Sequence, residues 1–205
     1  MPADQPSLRD AVRQQVRDLL RETAAVAPAG VAPAGVAPAA APVAPAAAPG
    51  PGPGAADPKR IAIGSDHGAF ALKQALVRYL RGDLGFTVDD CGTDSTAAVD
   101  YPDIAVAVAH AVTSGRASRG ILLDGAGIGS TMAANKIPGV RAALCHDLMT
   151  VRNSREHNNA NLLVLGSNCV SRATARRMVA VWLSTPFAGG RHQMRVAKID
   201  ALDRR

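Results

Sequence analysis

The chain has 205 residues, enough for one domain with its own core, and nine of its 14 prolines fall between Pro28 and Pro58, so the folding mass is residues 59–205. The net charge is +6; residues 1–23 are balanced and the proline-rich stretch carries only Asp57, which leaves the folding mass at +7. Aromatics are only 3% and no basic cluster is interleaved with them, which argues against a nucleic-acid surface and for a basic pocket that takes a phosphorylated metabolite.

Residues 7–21 read as an amphipathic helix. Leu8, Val12, Val16, Leu19 and Leu20 form one apolar stripe, and Ser7 with Asp10 makes an approximate capping box. A helix this short is marginal alone in water, so its stripe needs a partner. Residues 24–58 are low-complexity, with VAPAG repeated and a PGPGPG ending. Such sequence buries no core and favours extended polyproline II, with a full reach of roughly 100 Å. A tether of that reach suggests that the helix docks on something other than its own domain. The N-terminus does not read as a signal peptide, and no apolar run reaches membrane-spanning length. Cys91, Cys145 and Cys169 are scattered, with no metal-like spacing, and read as reduced thiols of a cytoplasmic protein.

From Arg60 onward, strand and helix patterns alternate. Ile61-Ala62-Ile63-Gly64 predicts a strand, and 70–81 a helix with Leu72, Leu76, Val77 and Leu80 on one face. Strands are expected at 86–88, 121–123, 141–145 and 161–165. Helices are expected over 104–114, after the glycine turn at 125–129, around 147–154, and over 173–183 and 192–200. The alternation predicts a doubly wound α/β fold: a Rossmann-like three-layer sandwich with a five-stranded parallel sheet, helices on both faces, and a C-terminal helix.

The candidate chemistry lies in loops. Asp66 and His67 follow the first strand. Asp124 ends the third and opens the turn Gly125-Ala126-Gly127-Ile128-Gly129, followed by Ser130. A strand, a glycine turn and a helix start make an anion or oxyanion site, although alone the pattern equally fits a tight turn capped by Asp124. His157 and Asn158 precede the fifth strand. Each histidine alone reads more readily as structural. Arg191 and Arg195, with His192 between them, bring cationic donors, and two guanidiniums four residues apart on a helix suit a phosphate clamp, although alone they equally fit a solvated helix face.

The segments IAIGSDHGAFALK, DYPD, GILLDGAGIGSTMAANK, PGVRAALC, SREHNNANLLVLGS and FAGGRHQMRV, in this order over residues 60–199, resemble the type B ribose-5-phosphate isomerases. That family also holds galactose-6-phosphate and allose-6-phosphate isomerases. The resemblance implies an aldose–ketose isomerase that works through an enediolate with no metal and no organic cofactor. It also implies a homodimer or tetramer with the site between subunits. It assigns Asp66, His67 and Tyr101 to sugar and phosphate, and Gly125, Ala126, Gly127, Ile128, Gly129 and Ser130 to a cradle for substrate oxygens. It further assigns His157 to ring opening with Asn158 beside it, and Arg191 and Arg195 to phosphate.

Three positions depart from the family pattern. Asp124 stands where many members have a catalytic Cys; others use a Glu six residues later, where this chain has Ser130. Ala126 replaces a Thr. Asn168 replaces a phosphate-binding Arg. Asp124 is therefore the carboxylate available as base for the proton alpha to the carbonyl. These departures keep open another sugar phosphate as substrate, or a non-catalytic sugar-phosphate-binding protein. The N-terminal helix on its tether is similar to encapsulation peptides of enzymes packaged in bacterial microcompartments, so a shell or cargo protein is an expected partner through residues 7–21. Neither a nucleic acid nor a membrane is expected as a partner.

Overall fold

The computed structural model describes residues 57–204, and the predicted helix over 7–21 lies outside them, as does the Ala/Pro-rich stretch up to residue 56. Five strands form one all-parallel sheet: β1 (Arg60–Ser65), β2 (Thr87–Asp90), β3 (Arg119–Asp124), β4 (Ala142–Leu144) and β5 (Leu162–Gly166), in the order β2-β1-β3-β5-β4. The helices are α1 (Phe70–Arg78), α2 (Tyr101–Thr113), α3 (Ile128–Ala134), α4 (Leu148–Glu156), α5 (Arg172–Ser184) and α6 (Arg191–Asp200).

The three central strands are buried on both faces, so they read as continuous apolar runs. Alternate residues still choose opposite layers. Ile61, Ile63, Ile121, Leu123, Leu163 and Leu165 pack with Leu72 and Leu76 of α1, Val151 of α4, and Met178 and Trp182 of α5. Ala62, Leu122, Leu162 and Val164 pack with Ala105, Val108 and Ala109 of α2 and Ala134 of α3. The second layer is built from small side chains. A Cβ on Gly64 would meet Ile104 and Val108 at 2.7 Å, and one on Gly120 would meet Val108 at 2.8 Å, so α2 lies directly on the backbone of β1 and β3.

Some boundaries differ from those expected. The first helix gives way at Tyr79 to a π-helical turn over Tyr79–Asp83. The second begins at Tyr101, three residues early, because Pro102 suits the first turn of a helix, where no N–H is required. Strand β4 keeps only three residues, as befits an edge strand. α5 starts at Arg172 behind an Ser171 N-cap whose side chain accepts from the Thr174 N–H, and α6 starts at Arg191.

Strand order reverses between β1 and β3. β2 is added on one side of β1, and everything later on the other. A sheet of this kind opens a crevice outside the carboxyl ends of the strands at that switch point. The two loops at that crevice are Asp66-His67 and Asp124 with its glycine turn.

Candidate active site

Parallel pairing of β1 with β3 sets Ser65 opposite Leu123, so Asp66 emerges beside Asp124 and its N–H donates to the Leu123 carbonyl (3.3 Å). Asp66 Oδ1 accepts the Ala69 N–H (3.0 Å), which fixes the turn into α1. His67 is exposed, and its Nδ1 accepts the Val99 N–H (3.2 Å). A neutral His67 then carries its proton on Nε2, facing away from that bond.

Asp124 is 5% exposed. Its Oδ1 accepts from the Ala126 N–H (2.9 Å) and from the Gly127 N–H, and its Oδ2 from the Ser130 N–H (3.2 Å). The capping role that the turn pattern allowed is therefore present. The expected cradle narrows as a result, because the N–H groups of Ala126 and Gly127 point at Asp124. Those of Ile128 and Gly129 have no partner among the described residues. Gly127 sits at φ +82°, the left-handed region that suits glycine, and a side chain there would collide with Leu144. Tyr101, 42% exposed, packs against Gly129: a Cβ on that glycine would be 2.5 Å from the ring. Asn168 closes the turn from β5. Its N–H donates to the Gly125 carbonyl (3.0 Å), and its side-chain amide borders Gly125. Asp66, His67, Tyr101, Asp124, the turn, Ser130 and Asn168 thus form one cluster.

The remaining predicted residues are elsewhere. Helix α4 runs back from the carboxyl end of β4, so His157 at its C-terminus lies at the amino end of the sheet, just before β5. Neighbouring bonds confirm that position: Asn159 O accepts from Arg141 Nε (3.1 Å), immediately before β4, and the Gly120 N–H donates to Asn161 O (2.9 Å) at the start of β3. The α5–α6 connection lands there too, with the Ala188 N–H on Glu156 O (3.0 Å). Arg191 and Arg195, both exposed, open α6 at this end. The length of β5 separates the two groups, roughly 15 Å at the usual rise per strand residue. One chain therefore holds these two groups at opposite ends of its sheet.

At this end of the sheet the sequence reads His192 only as a cationic donor and does not single out Asn153. His192 stacks on His157, with centroids 4.1 Å apart and planes 5° apart. Burial, then the charges of His157, Arg191 and Arg195, hold its pKa below the usual histidine value. Asn153 Nδ2 lies 2.9 Å from His157 Nδ1, and Asn153 Oδ1 accepts from Asn158 Nδ2 (3.1 Å). Since the amide oxygen is occupied, Asn153 donates to Nδ1, and a neutral His157 carries its proton on Nε2. The four-residue spacing of Asn153 and His157 on a helix was the available signal.

A groove of about 610 Å³ runs along edge strand β4, lined at one end by Arg141, Asn158 and Ile199 and at the other by Cys145 and Met149.

The Ribose/Galactose Isomerase family model matches residues 61–199. The chain is 43% identical over 147 residues to ribose-5-phosphate isomerase B of Escherichia coli, covering 72% of this chain and 98% of that protein. It is 41% identical over 140 residues to D-erythrulose-4-phosphate isomerase of Pectobacterium atrosepticum, covering 68% and 91%. Among solved structures, ribose-5-phosphate isomerase B of Clostridium thermocellum superposes with a TM-score of 0.69 at 46% identity, covering 71% and 97%. Sequence, fold and the placement of the site at the switch point agree: this chain belongs to the ribose/galactose isomerase family and is a sugar-phosphate isomerase.

Proposed function

We propose that this enzyme interconverts D-ribose 5-phosphate and D-ribulose 5-phosphate through an enediolate, with Asp124 as base. The observation that carries the reading is the Asp124 carboxylate, buried at the switch point with one oxygen only singly bonded. Oδ1 already accepts two N–H groups; Oδ2 accepts one and keeps a lone pair. Oδ2 takes the C2 proton of the open aldose. The C–H electron pair moves into the C1–C2 bond, and charge develops on the C1 oxygen. The unpartnered N–H groups of Ile128 and Gly129 stabilise that charge. The O2 hydroxyl proton passes to O1, Asp124 returns its proton to C1, and the carbonyl is left at C2. His157, protonated on Nε2, donates to the ring oxygen during opening, with Asn158 beside it. His67, Arg191 and Arg195 hold the phosphate.

These roles need His157 and Asp124 at one substrate, which a single chain does not provide. A second copy supplies the other half-site, so the working unit is at least a homodimer. The β4 groove supports this, since its edge strand is only half-buried and exposed Met149 and Ile199 line it. The test of function is a turnover panel of ribose, allose and galactose phosphates with D-erythrulose 4-phosphate added, because a relative of 41% identity carries that last activity in its name. Ribose 5-phosphate is expected to give the highest kcat/KM. A higher value for another sugar reassigns the substrate, and binding without turnover makes the chain a sugar-phosphate-binding protein.

Residues 1–23 serve, in this reading, as an encapsulation peptide that takes the enzyme from the cytoplasm into a bacterial microcompartment. The amphipathic spacing and the Ala/Pro tether support it. Fusing residues 1–23 to a fluorescent protein should recruit it to compartment shells; diffuse fluorescence rejects the idea.

A further inference from the structure

Lys73 of α1 is fully buried, yet the chemistry above does not use it. Its ammonium donates to both oxygens of Asp90 (2.6 and 2.7 Å) and to the Thr93 carbonyl (2.5 Å), which uses all three of its N–H groups. Asp90 ends β2 and, through Oδ1, also accepts the Gly92 N–H (3.1 Å). The Thr93 N–H donates to Ser65 O (3.2 Å) at the end of β1, and any side chain on Gly92 would strike the Ser65 backbone. Lys73 therefore clamps the entry of the connection over residues 91–100 against the carboxyl end of β1. The exit of the same connection carries two site groups. The Val99 N–H donates to His67 Nδ1, and Tyr101 begins α2 with its ring on Gly129.

A buried ammonium is costly to desolvate, and its pairing with the exposed carboxylate of Asp90 is weak evidence of a stability role. Its value here lies in geometry. We propose that Lys73 is a positioning residue that acts through Asp90 and the Thr93 carbonyl. It holds the 91–100 connection so that the Val99 N–H fixes the His67 tautomer and Tyr101 covers the glycine turn. The inference rests on the reading of His67 as a phosphate ligand, but the state of the His67 ring can be measured without turnover.

The experiment uses the full chain labelled with nitrogen-15 at its five histidines, with His67→Gln to assign the resonance. In the parent protein His67 should show an Nε2–H form with Nδ1 shifted as an acceptor. Lys73→Met, the milder Asp90→Asn, and Val99→Pro, which deletes the donating N–H, should each move that resonance toward a tautomer mixture. Each should also raise KM for ribose 5-phosphate about tenfold while kcat changes little, as expected for loss of a hydrogen bond to a binding group. Combining Asp90→Asn with Val99→Pro should add little to either alone, because both break one chain of contacts. If Lys73→Met does not fold, Asp90→Asn and Val99→Pro decide the matter. Folded variants with the parent His67 resonance overturn the proposal, whatever their rates. A parent protein inert toward ribose 5-phosphate overturns the functional reading instead and leaves the resonance comparison intact.

Discussion

The Asp124 carboxylate caps the glycine turn and is the proposed base, and substitutions separate the two. Asp124→Asn keeps the shape and an acceptor oxygen but removes the base. The expected result is a folded protein with kcat lowered by about 10³, within the range for loss of a positioned general base. A near-parental rate in a coupled ribose 5-phosphate assay would make Asp124 a cap and nothing more. Asp124→Ala additionally strands three N–H groups, two of them buried, so chemical denaturation should show a further loss of about 1–2 kcal/mol. His192 gives a prediction about pH. Its pKa in the folded chain lies below the unfolded value of about 6.5, so near that pH the unfolded chain binds more protons. The penalty is absent above the unfolded value and grows as pH falls through it, reaching its full size below the folded value. Denaturation midpoints of the parent should therefore fall between pH 7 and pH 5, and His192→Asn should show a shallower fall. Equal slopes would show that His192 binds its proton equally in the folded and unfolded chain.

The elements were largely readable from local pattern, because the three central strands are short apolar runs and the longer helices α1, α2 and α5 bury one apolar face. Gly64 and Gly120 were readable only as strand residues; that they let α2 lie on the sheet backbone depends on which helix packs there. The strand order was not readable, since hydrophobic period says how a segment buries itself and nothing about its neighbours. That β5 lies inside β4 is a tertiary fact, and it leaves β4 as an edge strand. The cluster around Asp124 was legible because it sits on consecutive residues after two strands. The distance from Asp124 to His157 was not, since a helix between two parallel strands carries its C-terminus to the far edge of the sheet. The β4 edge gives the test at this scale. Met149 is 68% exposed at the start of α4 and lines the groove. Met149→Asp should leave the single chain within about 0.5 kcal/mol of its parent stability, as for other surface changes. In the proposed dimer it would place a charge in an apolar contact, so sedimentation should show monomer and turnover should fall with it. A fully active dimer would place the interface elsewhere.

For the whole molecule, the proposed dimer has a consequence that can be counted: each complete site would take Asp124 from one copy and His157 from another. Asp124→Asn and His157→Ala should each be inactive as pure proteins, since every site in either lacks one group. In a hybrid dimer of the two, one site receives both altered residues and the other receives an intact Asp124 and an intact His157. Random pairing of equal amounts makes about half of the dimers hybrid, and each hybrid has one intact site of two, so co-expression should recover about one quarter of parental activity. The recovered sites should have a parental KM, because nothing in them is altered. A chain that completed its own site would behave differently, with no mixture of the two variants exceeding the sum of its parts. Recovery in a tetramer follows the same arithmetic as long as sites form within dimeric pairs. The quarter-activity result thus tests the sharing of sites between copies independently of the final oligomer size. It does so with two substitutions at opposite ends of one sheet, too far apart for either to repair the other within a chain.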